Sequence, residues 1–244
     1  YKTNQRGGIS LELARRDVRR KTTLIGSLMV ELGDADGLIC GTFGFYHLHL
    51  KYLNQVIGKK EGISNFYAMN AVLMQNRNLF IADTYINEDP TAEELAEMTI
   101  LAAQAIRRFG ITPKVALLSH SNFGASDRAS ALKMRQVHDI LTQMNVDFEF
   151  DGEMHGDTAL DERLRSQTYP FSTLKGSANL LIMPTLDSAN IAFNLLKTAT
   201  GSAVLGPILL GADKPVHILT PSATARRIVN MTALSVSDAQ DVEK

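Results

Sequence analysis

A single cysteine, Cys40, in 244 residues excludes an internal disulfide and fits a reducing compartment. Long apolar runs are missing too. LLIMP, VALLS and AVLMQ are short and strand-like, so no membrane span is expected. Residues 1–20 are polar and arginine-rich with no apolar h-region, so no signal peptide is expected and the cytoplasm is the implied setting. An excess of one charge is also absent. Twenty-five basic against twenty-six acidic side chains give a net charge of −1, which excludes a strongly basic nucleic-acid binder. There is neither a GxxxxGK(S/T) phosphate loop nor a GxGxxG fingerprint, so ATP and NADP are not expected to bind in their usual ways. His47 and His49 stand two apart, poor geometry for sharing a metal on a helix. His120, His138, His155 and His217 are scattered, so no metal is expected. The acidic, turn-like stretch Asp151 to Asp157 lacks the EF-hand register, which excludes calcium there.

What is present is a hydrophobic fraction of 45%, enough for a substantial core in one large domain or two lobes. Ser10 reads as the N-cap of one helix running to about Leu32, with Leu11, Ala14, Val18, Ile25, Leu28 and Leu32 at helical spacing and Gly33 ending it. A buried strand at Gly37–Cys40, a loop at Gly41–Gly44 and a helix over His47–Ile57 follow. Phe66–Gln75 and Leu79–Ala82 read as strands joined by a turn at Asn76–Asn78. Thr91, Glu93 and Glu94 open a helix. Beyond Lys114, strands (Val115–Leu118, Leu180–Met183, Val204–Leu210) alternate with helices (Asp127–Asn145, Asp187–Thr200, and one capped by Ser222). The Asp127–Asn145 helix is expected to pack through Leu132, Val137, Leu141 and Met144. This alternation predicts an α/β fold of mostly parallel sheets sandwiched by helices, in two lobes with a cleft between them. Tyr1–Gly8 leads abruptly into a helix, so the chain is expected to be a fragment of a larger multidomain protein.

Ligands of open α/β sheets settle where strand ends meet helix N-termini. Three loops qualify: Cys40–Tyr46, with Gly41, Thr42 and Gly44; Ser119–Ser126, with Ser119, Ser121 and Asn122; and Pro184–Asn190, ending in Asn190. Each alone is often just a capped turn; together they point to an anion-binding cleft. Arg15, Arg16, Arg19 and Arg20, with Lys21, form a ridge that reads as a solvated face or subunit contact, or more sharply as a seat for the phosphates of a nucleotide-like ligand. Cys40 reads as a buried small residue rather than a nucleophile.

The segment AVLGPILLGADKPVHILTPSATARRIVN (Ala203–Asn230) resembles the C-terminal segment of phosphotransacetylases. So do Asp36–Gly41, KVALLSHSNFGA (Lys114–Ala125), Asp151–Glu153 and NLLIMPTLDSAN (Asn179–Asn190), in the same order. RRDVRRKTTLIG, CGTFGFYHLHLKYLNQVIG and SHSNFGAS resemble a subgroup, the C-terminal phosphotransacetylase-like domain of multidomain NADP-dependent malic enzymes. The resemblance implies a two-lobed fold also similar to isocitrate and isopropylmalate dehydrogenases, with residues 1–65 and 205–244 in lobe I and 66–204 in lobe II. It implies ligand contacts at Gly41, Thr42, Lys51, Ser119, Ser121, Asn122, Asn190, Gly206, Pro207, Thr220 and Ser222. Active relatives use two phosphate-binding arginines, a serine–arginine pair and a basic aspartate; these positions fall on Asn4, Lys51, Thr220, Pro221 and Arg227. Arginine stays protonated at physiological pH and cannot serve as a base. Losing base, phosphate clamp and transition-state arginine together removes many orders of magnitude in rate. The implied role is therefore a non-catalytic domain that binds acetyl-CoA as an inhibitory effector and oligomerises, at least as a dimer. A malic enzyme catalytic domain in cis would supply NADP and a divalent metal. An active phosphate acetyltransferase is the alternative, and a purely structural oligomerisation module a third reading.

Overall fold

The computed structural model describes residues 1–2 and 5–242. The chain divides into two compact units, residues 1–66 with 206–244, and residues 67–205.

The first unit opens with α1 (Leu11–Val18), capped by Ser10, whose hydroxyl accepts the Leu13 amide at 3.2 Å. The single helix expected over residues 10–32 is broken. α1 ends at Val18, and α2 (Thr22–Leu32) starts afresh after Lys21. Arg15, Arg16, Arg19, Arg20 and Lys21 crowd the junction with like charge, and α1 buries none of its residues, so nothing holds it in line. The direction of α2 is set instead by burial of Thr23, Leu24, Ser27 and Val30. Gly33 closes it in the left-handed region at φ 79°. β1 (Leu38–Cys40) pairs in parallel with β8 (Val216–Ile218), Leu38 opposite Val216. Between them in the chain come α3 (Tyr46–Val56) and the whole second unit. α9 (Ala225–Val242) completes the unit. Its cap is Thr224, whose hydroxyl accepts the Arg227 amide at 3.2 Å, rather than the expected Ser222, whose hydroxyl lies 3.1 Å from that of Thr220. His217, buried on β8, accepts the Leu209 amide through Nδ1 at 3.2 Å. That fixes the tautomer and turns Nε2–H toward Asp238 of α9, 3.3 Å away.

The second unit is a sheet in the order β5-β4-β6-β3-β2, and β7 (Ala203–Leu210) carries the chain from this unit back into the first. β2 (Tyr67–Leu73) and β3 (Asn78–Ala82) form the expected antiparallel pair. β3, β6 (Leu180–Ile182), β4 (Lys114–Leu118) and β5 (Glu149–Met154) all run parallel. Strand alternation divides the core between the two faces. Leu79, Ile81, Ala116, Leu118, Leu181 and Met183 cluster with Ala189 and Phe193 of α8 (Leu186–Thr200). Opposite side chains such as Phe80, Val115, Leu117 and Ile182 are also fully covered. α4 (Ala92–Arg108) begins with a capping box between Thr91 and Glu94 and buries Leu95, Met98, Ala102 and Ile106.

α5 (Ala129–Gln143) packs through Ala131, Met134, Val137 and Leu141. The expected Leu132 and Met144 are 41% and 57% exposed, because Leu132 lies a step round the helix from that stripe and Met144 lies past its last turn. The stretch Asp151–Asp157 is not a turn. Its first half is the end of β5 and its second half opens α6 (Gly156–Leu160). The acidic pattern hides a buried strand because its carboxylates are satisfied internally: Asp151 Oδ2 accepts the Ser172 hydroxyl at 2.5 Å and the Thr173 amide at 2.8 Å. α7 (Glu162–Thr168), capped by Asp161, buries Arg165 against the carbonyls of Thr158, Ala159, Leu174 and Gly176. Among the described residues, no helix is long and apolar enough to cross a membrane.

Candidate functional site

The candidate residues fall into two groups, one in each unit. In the first, the parallel pairing of β1 with β8 delivers two loops side by side at their carboxyl ends. The Leu219 amide donates to Cys40 O at 2.7 Å. Gly41, at φ 90°, sits so close that a Cβ there would fall 2.3 Å from Leu219 O. Only glycine allows this contact, which sets Gly41 and Thr42 beside Thr220, Pro221 and Ser222. Arg227, from the first turn of α9, reaches back to the same place, its Nη1 lying 3.5 Å from Thr220 Oγ1. Lys51 is exposed on α3, the helix into which the Gly41 loop runs. Gly206 and Pro207 are buried within β7. Asn4 lies outside the described residues.

This loop pair carries hydroxyls and cations. Neither residues 41–45 nor residues 219–227 include an Asp, Glu or His. Burial pushes the Cys40 thiol up to about 12, against the smaller opposing effect of a hydrogen bond with Thr23. It is therefore a neutral thiol at any physiological pH, not a nucleophile. These two loops can attract an anion and donate hydrogen bonds, and neither carries a carboxylate or imidazole to take up a proton.

In the second unit, the carboxyl ends of β3, β4, β5 and β6 bring their loops together. The Ser119–Ser126 loop wraps a carboxylate, Glu153, that is 0% exposed. Glu153 Oε1 accepts the Ser121 hydroxyl at 2.7 Å and the Gly124 amide at 3.0 Å, and its backbone carbonyl accepts the Phe123 amide at 2.8 Å. Arg135 of α5 stands 3.4 Å from Oε2. Ser121 also accepts the Ser126 amide, and Asn122 Oδ1 accepts the His155 amide at 2.7 Å. Their polar atoms thus shape the loop. Ser119, half-buried, accepts the Ser121 amide. Asn190 donates to Thr84 O at 3.0 Å and accepts from Asn194 at 3.1 Å. Two histidines far apart in sequence do meet, His155 Nε2–H donating to His120 O at 2.9 Å, yet among the described residues no group of three or more His, Cys, Asp or Glu could hold a metal ion.

Two residues that organise this edge escape the sequence reading. Asp83, just past β3, accepts the amides of Ala68, Tyr85, Ile86 and Asn87 and the Asn87 side chain. Burial pushes its carboxyl above the usual range, while those donors pull it back. The available signal was a carboxylate directly after an apolar strand, four residues before an asparagine. Lys133 of α5 ties two loops together, donating to Asp89 Oδ1 at 2.6 Å and Pro90 O at 3.0 Å in one and to Pro184 O at 2.8 Å in the other. Nothing in its helical spacing marks it.

Fold and loops together define an α/β protein of mostly parallel sheets with hydroxyl- and cation-bearing loops at its strand ends. A family model described as phosphate acetyl/butaryl transferase matches residues 1–236, and the chain belongs to that family. It is 50% identical over 241 residues to an NADP-dependent malic enzyme of Escherichia coli, a match covering 98% of this chain and 32% of that protein. It is 32% identical over 239 residues to a phosphate acetyltransferase of Synechocystis, covering 97% of this chain and 34% of the other. The chain spans about a third of the length of these relatives. A phosphotransacetylase structure from Streptococcus pyogenes superposes with a TM-score of 0.89 at 31% identity, over 98% of this chain and 73% of that one.

Proposed function

We propose that this chain is the non-catalytic, acetyl-CoA-binding regulatory and oligomerisation part of an NADP-dependent malic enzyme, whose remaining part oxidatively decarboxylates malate to pyruvate. The observation that carries the reading is the place of Arg227. The position that the family resemblance assigns to a basic aspartate holds a guanidinium, 3.5 Å from the Thr220 hydroxyl. A permanent cation beside that hydroxyl polarises a bound oxygen but takes no proton from the attacking group. Acetyl-CoA is then held through its negative charge and released unchanged. Similarity to proteins named phosphate acetyltransferase supports the ligand class, and similarity to malic enzymes supports the setting.

Regulation requires that acetyl-CoA favour one state of the enzyme over another, and a differential affinity of about 1–3 kcal/mol suffices. The malic enzyme part in cis would hold NADP and a divalent metal, and the assembly would be at least a dimer. The test is malate-dependent NADP reduction by the intact enzyme with and without acetyl-CoA. A rate indifferent to millimolar acetyl-CoA ends the proposal.

The second reading is an active phosphate acetyltransferase. One observation favours it: Thr220 and Arg227 still form a hydroxyl–guanidinium pair. Release of free thiol from acetyl-CoA and phosphate, abolished in Thr220→Ala, would establish it.

A further inference from the structure

The sheet of the second unit has two ends, and the loops gathered around Glu153 occupy only one of them. β3, β4, β5 and β6 run parallel, so the Asn76–Asn78 turn that leads into β3 lies at the opposite, amino-terminal end. α8 starts at the carboxyl end, after β6, and returns the chain to that amino-terminal end at Thr200. Its 15 residues, at a rise of about 1.5 Å each, put the two ends roughly 20 Å apart. Two turns meet at the far end, Leu73–Arg77 and Thr200–Ala203. Between them lies a cavity of about 570 Å³, a volume in the range of small-molecule sites.

Its lining has one sign of charge. Arg77 supplies a guanidinium, Gln75 and Asn76 two carboxamides, and Thr200 and Ser202 two hydroxyls. The first turn is closed by its backbone, the Met74 amide donating to Arg77 O at 3.0 Å. The side chains of Gln75, Asn76 and Arg77 make no hydrogen bond or ion pair with any described residue. Neither residues 67–82 nor residues 188–212 contain an Asp or Glu, so the guanidinium has no carboxylate of its own in either segment. The charge in the last turn of α8 is a second cation, Lys197. Terminal helix carbonyls would repel an anion, but here they are engaged: Thr200 donates to Leu196 O at 2.7 Å and the Gly201 amide to Thr198 O at 3.3 Å. Thr200 shares the same proton with Ser202 Oγ at 2.7 Å, which leaves the Ser202 proton for another acceptor. No Cys, His, Asp, Glu or Lys lines the cavity, so nothing there activates a hydroxyl; it can bind a ligand but not transform one.

We propose that this cavity is a binding site for a small organic carboxylate. The Arg77 fork meets a carboxylate in two parallel hydrogen bonds. Gln75, Asn76 and Ser202 donate to the ligand's remaining oxygens, and the half-buried Leu73 and Met74 cover its short carbon chain. A single lining cation balances a carboxylate, whereas it leaves half the charge of a phosphate unmet. The site goes beyond the acetyl-CoA reading and does not depend on it.

Titration of the isotope-labelled full chain with succinate, followed by amide NMR shifts, tests this and reports where binding occurs. Saturable shifts centred on residues 73–77 and 200–203 are expected, with half-saturation at about 1 mM, the affinity that one bidentate ion pair and a few hydrogen bonds support. Added salt should weaken it. Arg77→Gln should weaken binding by about tenfold or more, and Ser202→Ala by about threefold. Arg77→Lys keeps the charge but loses the fork, and should fall between wild type and Arg77→Gln. All three positions lie outside the core, so melting temperatures should stay at the wild-type value. Neutral succinamide should give no shifts, and inorganic phosphate should bind more weakly than succinate. No saturable shift at roughly ten times the expected half-saturation, shifts centred elsewhere, or equal affinity in wild type and Arg77→Gln overturns the site. Phosphate binding as tightly as succinate overturns the choice of a carboxylate.

Discussion

Replacing Glu153 with glutamine changes one buried atom and should measurably loosen the second unit. The carboxylate is wholly buried and has three neighbours: the Ser121 hydroxyl at 2.7 Å, the Gly124 amide at 3.0 Å and Arg135 at 3.4 Å. The glutamine carbonyl still accepts from Ser121 and Gly124, but as a neutral acceptor, losing about 1 kcal/mol for each bond. Its NH2 group turns toward Arg135, donor facing donor. Arg135 is about a third exposed, so water screens much of that loss, and about 1 kcal/mol or less is the fair allowance. The total is about 2–3 kcal/mol, or roughly 5–12 °C in the melting temperature of a domain this size. Glu153→Ala leaves every donor unmet and should cost about 3–5 kcal/mol. Urea and thermal unfolding followed by circular dichroism give both values. A Glu153→Gln variant within about 0.5 kcal/mol of wild type would refute the view that this carboxylate organises the Ser119–Ser126 loop.

Other perturbations read the first unit. Gly41→Ala places a methyl 2.3 Å from Leu219 O at a φ of 90°, so unfolding stability should fall by about 2 kcal/mol or more, and unchanged stability would show that the two loops are not locked together. Thr224→Ala should cost about 1 kcal/mol as loss of the α9 cap, whereas Ser222→Ala should cost almost nothing; the reverse order would return the cap to Ser222. Cys40 should react with iodoacetamide at about pH 8 some hundredfold or more slowly in the folded chain than in urea, because its thiol is raised to about 12 from an ordinary 9.0. That shift also sets a sign. The stability it confers is complete below about pH 9 and drains away as pH rises toward 12, since the unfolded chain gives up the thiol proton first. Equal alkylation rates in the two states would contradict the burial.

Where periodicity is the whole signal, the sequence is a sufficient guide. The Asn76–Asn78 hairpin, the helix opened by Thr91 and the strand at Val115 follow from spacing and turn chemistry alone. It misleads where a tertiary partner reverses a local rule. Asp151 and Glu153 look like a solvated turn until Ser172, Thr173, Ser121 and Gly124 are brought to them from distant segments. The stretch before Thr22 has helical spacing but nothing to bury against, so its crowded arginines break it. The candidate loops were legible from their glycines and hydroxyls. What each hydroxyl does was not, because Ser121 and Asn122 are occupied by Glu153 and His155, contacts that span more than thirty residues. Arg227 could be placed only by its position relative to the Gly-Pro-Ile frame, and the structure adds its approach to Thr220.

The most direct measurement follows acetyl-labelled acetyl-CoA through equilibrium dialysis against the chain in the presence of phosphate. The account predicts label retained on the protein side and recovered intact as acetyl-CoA after hours. Label recovered as acetyl phosphate, or none retained at all, would contradict it.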